Sequence, residues 1–249
     1  MNELVSIIMP AYQCEATVEE SIRSVLSQTY QSWELIIVDD ASTDGTPAIL
    51  TRLVTEDSRI RVITLKYNGG VAAARNHGAK SALGKWIAFL DSDDIWLPEK
   101  LEKQLSLAEK SETEFIYSGA ACIDSHSQTI GRVFQVPASV SYHSLLHGND
   151  LICSTIVLRT ELFLLHPMER SDLHEDYICW LSILQEGTVA YGIQEPLILY
   201  RITAASKSGN KLKSASMAWR TFRYIGLNSI HATWCFLHYI IHGVIRYWL

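Results

Sequence analysis

The 249-residue chain is short of several things. Cys14, Cys122, Cys153, Cys179 and Cys235 are its cysteines. No two are close enough in sequence for a CxxC pair, which argues against a zinc site. An odd count with no secretory leader at "MNELVSIIMP" points to packing thiols in a reduced, cytoplasmic protein. GxGxxG is missing after the first apolar run, and so is GxxxxGK[ST]. Those absences disfavour an ordinary dehydrogenase and a P-loop NTPase. There is no internal repeat, no low-complexity tract and no enrichment of proline or glycine. Nor is there an 18-residue uncharged apolar span.

Acid is absent from the last 54 residues: nothing after Glu195 is Asp or Glu. Arg201, Lys207, Lys211, Lys213, Arg220, Arg223 and Arg246 give that segment +7, although the whole chain is −6. The remaining 195 residues are therefore at −13, and so uneven a distribution suggests two tasks in one chain. The basic surplus is confined to the tail, and nothing in the chain points to a nucleic-acid partner.

The first 91 residues alternate between two periods. "LVSIIMP" (4–10), "WELIIVDD" (33–40), "RIRVITL" (59–65) and "WIAFLD" (86–91) read as buried strands. Helical spacing fills the gaps, with Thr17 and Glu20 fitting a capping box and a Gly-led helix over 68–82. The βαβαβαβ order predicts an α/β fold, Rossmann-like, with a mostly parallel sheet and helices on both faces. Later segments predict a helix from about 98 to 110, strands over 114–123, 132–136 and 151–159, a helix over 174–187, and strands in "TVAYGI" and "PLILYRI". A polar loop over 203–211 precedes a helical tail.

Ligands on such sheets sit beyond the carboxyl ends of the strands. Three ends carry polar groups: Pro10-Ala11-Tyr12, Asp39-Asp40 and Asp91-Ser92-Asp93. Carboxylates this close repel unless something pairs with them. An oxygen-seeking cation shared with substrate phosphates would do so. The competing explanation is that Asp91–Asp94 only caps the helix beginning near Pro98.

"VSIIMPAYQCEATVEESIRSVLSQTYQSWELIIVDDASTDGT" resembles the opening of family 2 glycosyltransferases of the GT-A fold. "NGGVAAARNHGAKSALGKWIAFLDSDDIWLPEKLEKQ" is similar to the family's continuation with its DxD-type motif, and "HEDYICWLSIL" to its ED-type motif. "LYRITAASKSGNKLKSA" and the aromatic tail resemble the branch that makes teichuronic acid, O-antigen or capsule. The resemblance covers about residues 4–211 and implies roles by position. Pro10, Ala11 and Tyr12 would line the base, and Asp40 would accept from the uracil N–H, with Asp39 holding the turn. Arg75 would reach the base or diphosphate. Asp91 and Ser92 would face the nucleotide sugar, and Asp93, with Asp91, would hold Mn²⁺ or Mg²⁺. Asp176 would be the general base and Glu175 its neighbour that orients the acceptor or a loop. Arg201, Ser206, Ser208 and Lys211 lie on the loop that closes over the diphosphate. Some relatives carry a histidine there. This chain has Thr203 and no histidine over 201–211, which leaves a third protein ligand open. Trp180, one turn beyond Asp176, is a candidate acceptor platform, with the core as its other place.

The implied activity is inverting transfer from a UDP-sugar to a lipid-linked glycan acceptor, forming a β-glycoside for a surface polysaccharide. The division expected is 1–110 for the nucleotide-sugar half, 111–211 for the acceptor half, and 212–249 for an amphipathic, basic aromatic tail. That tail suits a membrane surface, making the enzyme peripheral at the inner face of the cell membrane. Packing on the catalytic domain or in a homodimer is the alternative. Two other functions compete. A nucleotidyltransferase would want a Gly-rich, basic loop after the first strand, and "PAYQCEATVEE" is not one. A non-catalytic glycan- or nucleotide-binding subunit of a synthase is the other alternative, against which the presence of Asp91, Asp93 and Asp176 argues.

Overall fold

The computed structural model describes residues 3–202 and 211–248. In chain order the elements are β1 (Val5–Ala11), α1 (Val18–Leu26), β2 (Trp33–Asp39), α2 (Thr46–Val54), β3 (Ile60–Thr64), α3 (Val71–Lys80), β4 (Trp86–Phe89), β5 (Ile95–Trp96) and α4 (Lys100–Ser111). They continue as β6 (Phe115–Ile123), β7 (Thr129–Phe134), β8 (Ser139–Val140), α5 (Tyr142–His147), β9 (Val157–Arg159), α6 (Thr160–Leu165), α7 (Glu175–Gln185), β10 (Ala190–Arg201), α8 (Lys211–Tyr224) and α9 (Ser229–Trp248).

The strands form one sheet in the order β3-β2-β1-β4-β9-β6-β10-β5, with β7 on β6 and β8 on β10. The first four strands are parallel, as the βα alternation predicts. β6 and β10 add a further parallel pair, and short antiparallel pairs from β9, β7, β8 and β5 make the sheet mixed. Alternate side chains of each central strand serve opposite layers. Ile8, Ile36, Val38, Ile87 and Phe89 pack with α3 and the helices of the second half. Ile7, Met9, Leu35, Ile37 and Leu90 pack with α1, α2 and α4. Apolar residues on both faces explain why these strands read as continuous hydrophobic runs.

Several local expectations change. Thr17 makes no capping bond at α1; its hydroxyl donates to the Ser92 carbonyl at 2.8 Å, and Glu20 pairs with Arg201 instead. Residues 151–159 are not one strand. A 3₁₀ turn at Cys153–Thr155 precedes β9, because its polar groups are engaged by distant partners. Ser154 donates to Asp94, its carbonyl accepts from the Trp96 indole at 2.9 Å, and the Thr155 carbonyl accepts from Gln104 at 2.8 Å. "TVAYGI" and "PLILYRI" fuse into β10, with register shifts around Pro196, which has no N–H to give the ladder.

Candidate active site

Register places the chemistry. Ala11 of β1 lies beside Asp39 of β2, and Ile8 beside Phe89 of β4, so three carboxyl ends open together. A cavity of about 1030 Å³ lies beyond them. Pro10, Ala11, Tyr12, Asp40, Arg75, Asp91, Ser92, Asp93, Glu175 and Asp176 all line it. The turn after β1 carries Gln13 at φ 50°, and the turn after β2 carries Ala41 at φ 62°. Both are in the left-handed region, where non-glycine backbone is uncommon and tends to mark functional turns.

Tyr12 is half-exposed at the rim. The buried Asp40 carboxylate accepts from the Gly69 N–H at 2.7 Å and the Gly70 N–H at 2.8 Å. Gly70 has φ 83°, a conformation that excludes most other residues. Asp40 thus fixes the entry to α3. Asp39 is buried outside the cavity and accepts from the Ser42 N–H at 3.0 Å, so it holds the turn.

Arg75 lines the cavity but is only 4% exposed. Its guanidinium donates to Asp91 Oδ1 at 2.5 Å and to Glu175 Oε1 at 3.3 Å, and its Nε has no partner. Burial works to lower its pKa, but the charges of Asp91 and Glu175 outweigh that and hold it well above the ordinary value. Glu175 is correspondingly buried and braces Arg75. Arg75 therefore ties the DxD-type turn to the start of α7.

The aspartates after β4 separate by environment. Asp94 is buried and accepts from Ser154 Oγ at 2.5 Å and the Arg201 N–H at 2.9 Å. Burial, then Asp93 and Asp91, push its carboxyl well above the usual range. Asp94 is the structural member of the three. Asp93 faces the cavity, and its carboxyl is pushed up to about 6, first by burial and then by the charge of Asp91. Arg201, expected over the diphosphate, is 3% exposed. It donates to the Asp93 carbonyl at 2.7 Å, Asp124 O at 3.0 Å, Ser127 Oγ at 3.0 Å and Glu20 Oε2 at 2.7 Å. Its donors hold the turn and leave little to offer a ligand. Ser206 and Ser208 lie outside the described residues, and Lys211 opens α8.

Asp176 sits in the first turn of α7, where the helix dipole favours a carboxylate. Its Oδ1 accepts from the Tyr177 N–H at 2.7 Å. Burial, then Glu175, raise its pKa. Trp180 is fully buried against Phe89 at 5.8 Å and Phe115 at 5.3 Å between ring centroids, so it is core and not an acceptor platform. One turn beyond Asp176, on the same side of α7, Trp180 is packed into the core and does not line the cavity.

Two contributors, Ser154 and His174, had no signal in the sequence, and the tail adds a third. Ser154 Oγ donates to the Asp94 carboxylate and accepts from the Asp91 N–H at 3.1 Å. His174, given no role from its spacing, ties α7 to α8 through the Ser214 carbonyl at 3.2 Å. Tyr239, Ile240, His242, Gly243 and Val244 of α9 close one wall of the cavity. The tail is therefore packed on the catalytic domain, with His242 paired to Asp150 at 3.1 Å.

The donor set suits a hard cation. Asp93, with one oxygen of Asp91, offers anionic oxygens to the cavity. Among the described residues no three His, Cys, Asp or Glu side chains gather into a complete shell. Mg²⁺ and Mn²⁺ take one or two carboxylates and fill the rest with water and substrate phosphate, so these residues fit such an ion.

The "Glycosyl transferase family 2" model matches residues 6–158. The chain belongs to this glycosyltransferase family. It is 38% identical over 242 residues to the putative teichuronic acid biosynthesis glycosyltransferase TuaG of Bacillus subtilis, covering 97% of this chain and 96% of that one. It is 40% identical over 244 residues to WfgD of Escherichia coli, covering 97% and 94%. WfgD is a UDP-Glc:alpha-D-GlcNAc-diphosphoundecaprenol beta-1,3-glucosyltransferase. Among solved structures, S. aureus TarS 1-349 in complex with UDP-GlcNAc superposes with a TM-score of 0.74 at 17% identity, covering 97% and 72%. The mannosyltransferase PcManGT from Pyrobaculum calidifontis, in complex with GDP-Man and Mn2+, gives 0.66 at 16% identity, covering 98% and 75%. These two likenesses establish the GT-A fold. No helix among the described residues is long and apolar enough to cross a membrane.

Proposed function

We propose that this glycosyltransferase moves a sugar from UDP to a glycan carried on a lipid diphosphate, with inversion, in the synthesis of a bacterial surface polysaccharide. The observation that carries the proposal is the meeting of Asp91, Asp93 and Asp176 in one cavity with the ends of β1 and β2. Relatives at 38% and 40% identity over nearly the whole chain are a teichuronic acid enzyme and an enzyme acting on a diphosphoundecaprenol acceptor, which supports the substrate classes.

In this reading Pro10, Ala11 and Tyr12 receive the base. Asp40 retains lone pairs beyond its two glycine contacts and accepts from the uracil N–H. Asp91 and Ser92 face the ribose and sugar, and Asp93 and Asp91 hold Mn²⁺ or Mg²⁺. When bound, that ion supplies positive charge beside the departing diphosphate.

Asp176 accepts the proton of the attacking acceptor hydroxyl. Its Oδ1 is held by the backbone, so Oδ2 is the basic oxygen, and its raised pKa makes it a better base than an ordinary aspartate. The hydroxyl oxygen bonds to the anomeric carbon as the bond from that carbon to the UDP oxygen breaks, and its electron pair leaves with UDP. A single displacement turns an α-linked donor into a β-glycoside.

UDP release from a panel of UDP-sugars, UDP-glucose among them, tests the reading. With a GlcNAc-diphosphate-lipid acceptor and Mn²⁺, one donor should release UDP in an acceptor-dependent manner, and EDTA should stop it. Equal release with and without EDTA would sink the role given to Asp93.

A further inference from the structure

Helix α9 has two apolar faces. Ala232, Cys235 and Tyr239 point inward, with Tyr239 against Tyr177 at 5.9 Å and Phe222 at 6.1 Å. On the opposite side Ile230, Trp234, Leu237, Ile241, Val244 and Ile245 recur at three- and four-residue spacing, each at least half exposed. A globular helix normally turns a polar face outward. Large exposed apolar residues elsewhere in the described chain are scattered, whereas here they form one continuous stripe. A contiguous apolar patch of this kind marks an interaction surface.

Two observations identify the occupant. The stripe runs into the catalytic cavity, since Val244 belongs to both and Ile240 joins it at the lip. The segment also carries no acid after Glu195, and Arg223 is exposed near the start of α9. A second copy docked across a twofold axis would set basic segments against each other with no acid within them to compensate. An anionic lipid surface matches both the apolar stripe and the charge.

We infer that the outer face of α9 lies in the interface of an anionic bilayer, with the lip at Ile240 and Val244 opening the catalytic cavity onto that bilayer. The helix is about 30 Å long at 1.5 Å per residue and lies in the plane of the surface. Because α9 is also a cavity wall, docking it sets the mouth of the active site against the headgroups. This deepens the proposed function and rests on its lipid-linked acceptor.

The test uses the full chain and vesicles of phosphatidylglycerol with phosphatidylcholine, against phosphatidylcholine alone. The wild type should sediment with the anionic vesicles. Trp234→Ser combined with Ile241→Asn, both at exposed positions, should lower that binding at least tenfold. Leu83→Asn, an exposed apolar residue away from α9, should not change it. With GlcNAc-diphosphate on a long polyprenyl chain in vesicles, the double variant should lose at least tenfold in transfer. On a short, water-soluble alkyl chain it should stay within about twofold of wild type. A wild type that stays in the supernatant overturns the inference, and so does a double variant that sediments unchanged. Light scattering that shows a dimer dissolved by the double variant, with no vesicle binding, assigns the stripe to a second copy and also overturns it. Intact sedimentation with no transfer to any acceptor would refute the lipid-linked acceptor alone.

Discussion

Replacing Arg75 with methionine removes the one cation shared by Asp91 and Glu175 while keeping an unbranched side chain of similar reach. The Arg75 side chain is 5% exposed and that of Glu175 7%, whereas that of Asp91 is 29%. Glu175 is left as a buried carboxylate without its guanidinium, while water partly compensates Asp91. Breaking a buried ion pair from one side costs about 3–5 kcal/mol. For a domain of this size 1 kcal/mol moves Tm by roughly 2–4 °C. Arg75→Met should therefore melt roughly 6–20 °C lower at pH 7 by calorimetry. Excess Mn²⁺ should restore part of the loss by binding only the folded state. A Tm within 2 °C of wild type at pH 7 would refute the claim that Arg75 holds the site together.

Asp176→Asn keeps the shape of the side chain and loses its basicity. It should lower kcat about 10²–10⁴-fold with little change in donor KM, as read by initial rates of UDP release. Asp176 must be deprotonated to act and its pKa is raised, so wild-type kcat should fall on the acid side at a pH above the ordinary aspartate value of about 3.9. An acid limb at or below that value would contradict its burial. Asp93 is raised to about 6, so its folded form favours the proton, and its contribution to stability declines as pH rises from about 4 toward 6. Asp93→Asn should flatten that decline in metal-free protein and remove the Mn²⁺-dependent rise in Tm. A Cβ on Gly148 would lie 2.4 Å from the His242 ring, so Gly148→Ala should push α9 outward and cost about 1–3 kcal/mol in urea unfolding.

The parallel half of the sheet and the strand-end aspartates were legible because both are local signals. Buried strands are continuous apolar runs, and the residues just after them must face the crevice. What escaped depends on partners far away in sequence. Arg201 meets Glu20 across 181 positions, and Arg75 meets Glu175 across 100. A basic residue in a motif does not reveal whether its charge is already used. Trp180 is one turn from Asp176 and on the same side of α7, but it packs into the core and not along the cavity, and spacing alone did not decide how far along the helix the crevice reached. The 151–159 run carried a strand's composition, and only the demands of Asp94, Trp96 and Gln104 bent Cys153–Thr155 into a turn. The tail's composition pointed to a membrane or to packing. The structure supports the packing directly through α9, whose two apolar faces leave room for both.

The stereochemistry of the product tests the central claim most directly. The full-length enzyme would be given an α-linked UDP-sugar, Mn²⁺ and a GlcNAc-diphosphate-lipid acceptor, and the new linkage read by the anomeric proton coupling in NMR. One displacement, with Asp176 as base, predicts a β-linkage and one UDP released per bond formed. An α-linkage, or UDP released without a new glycosidic bond, would contradict it.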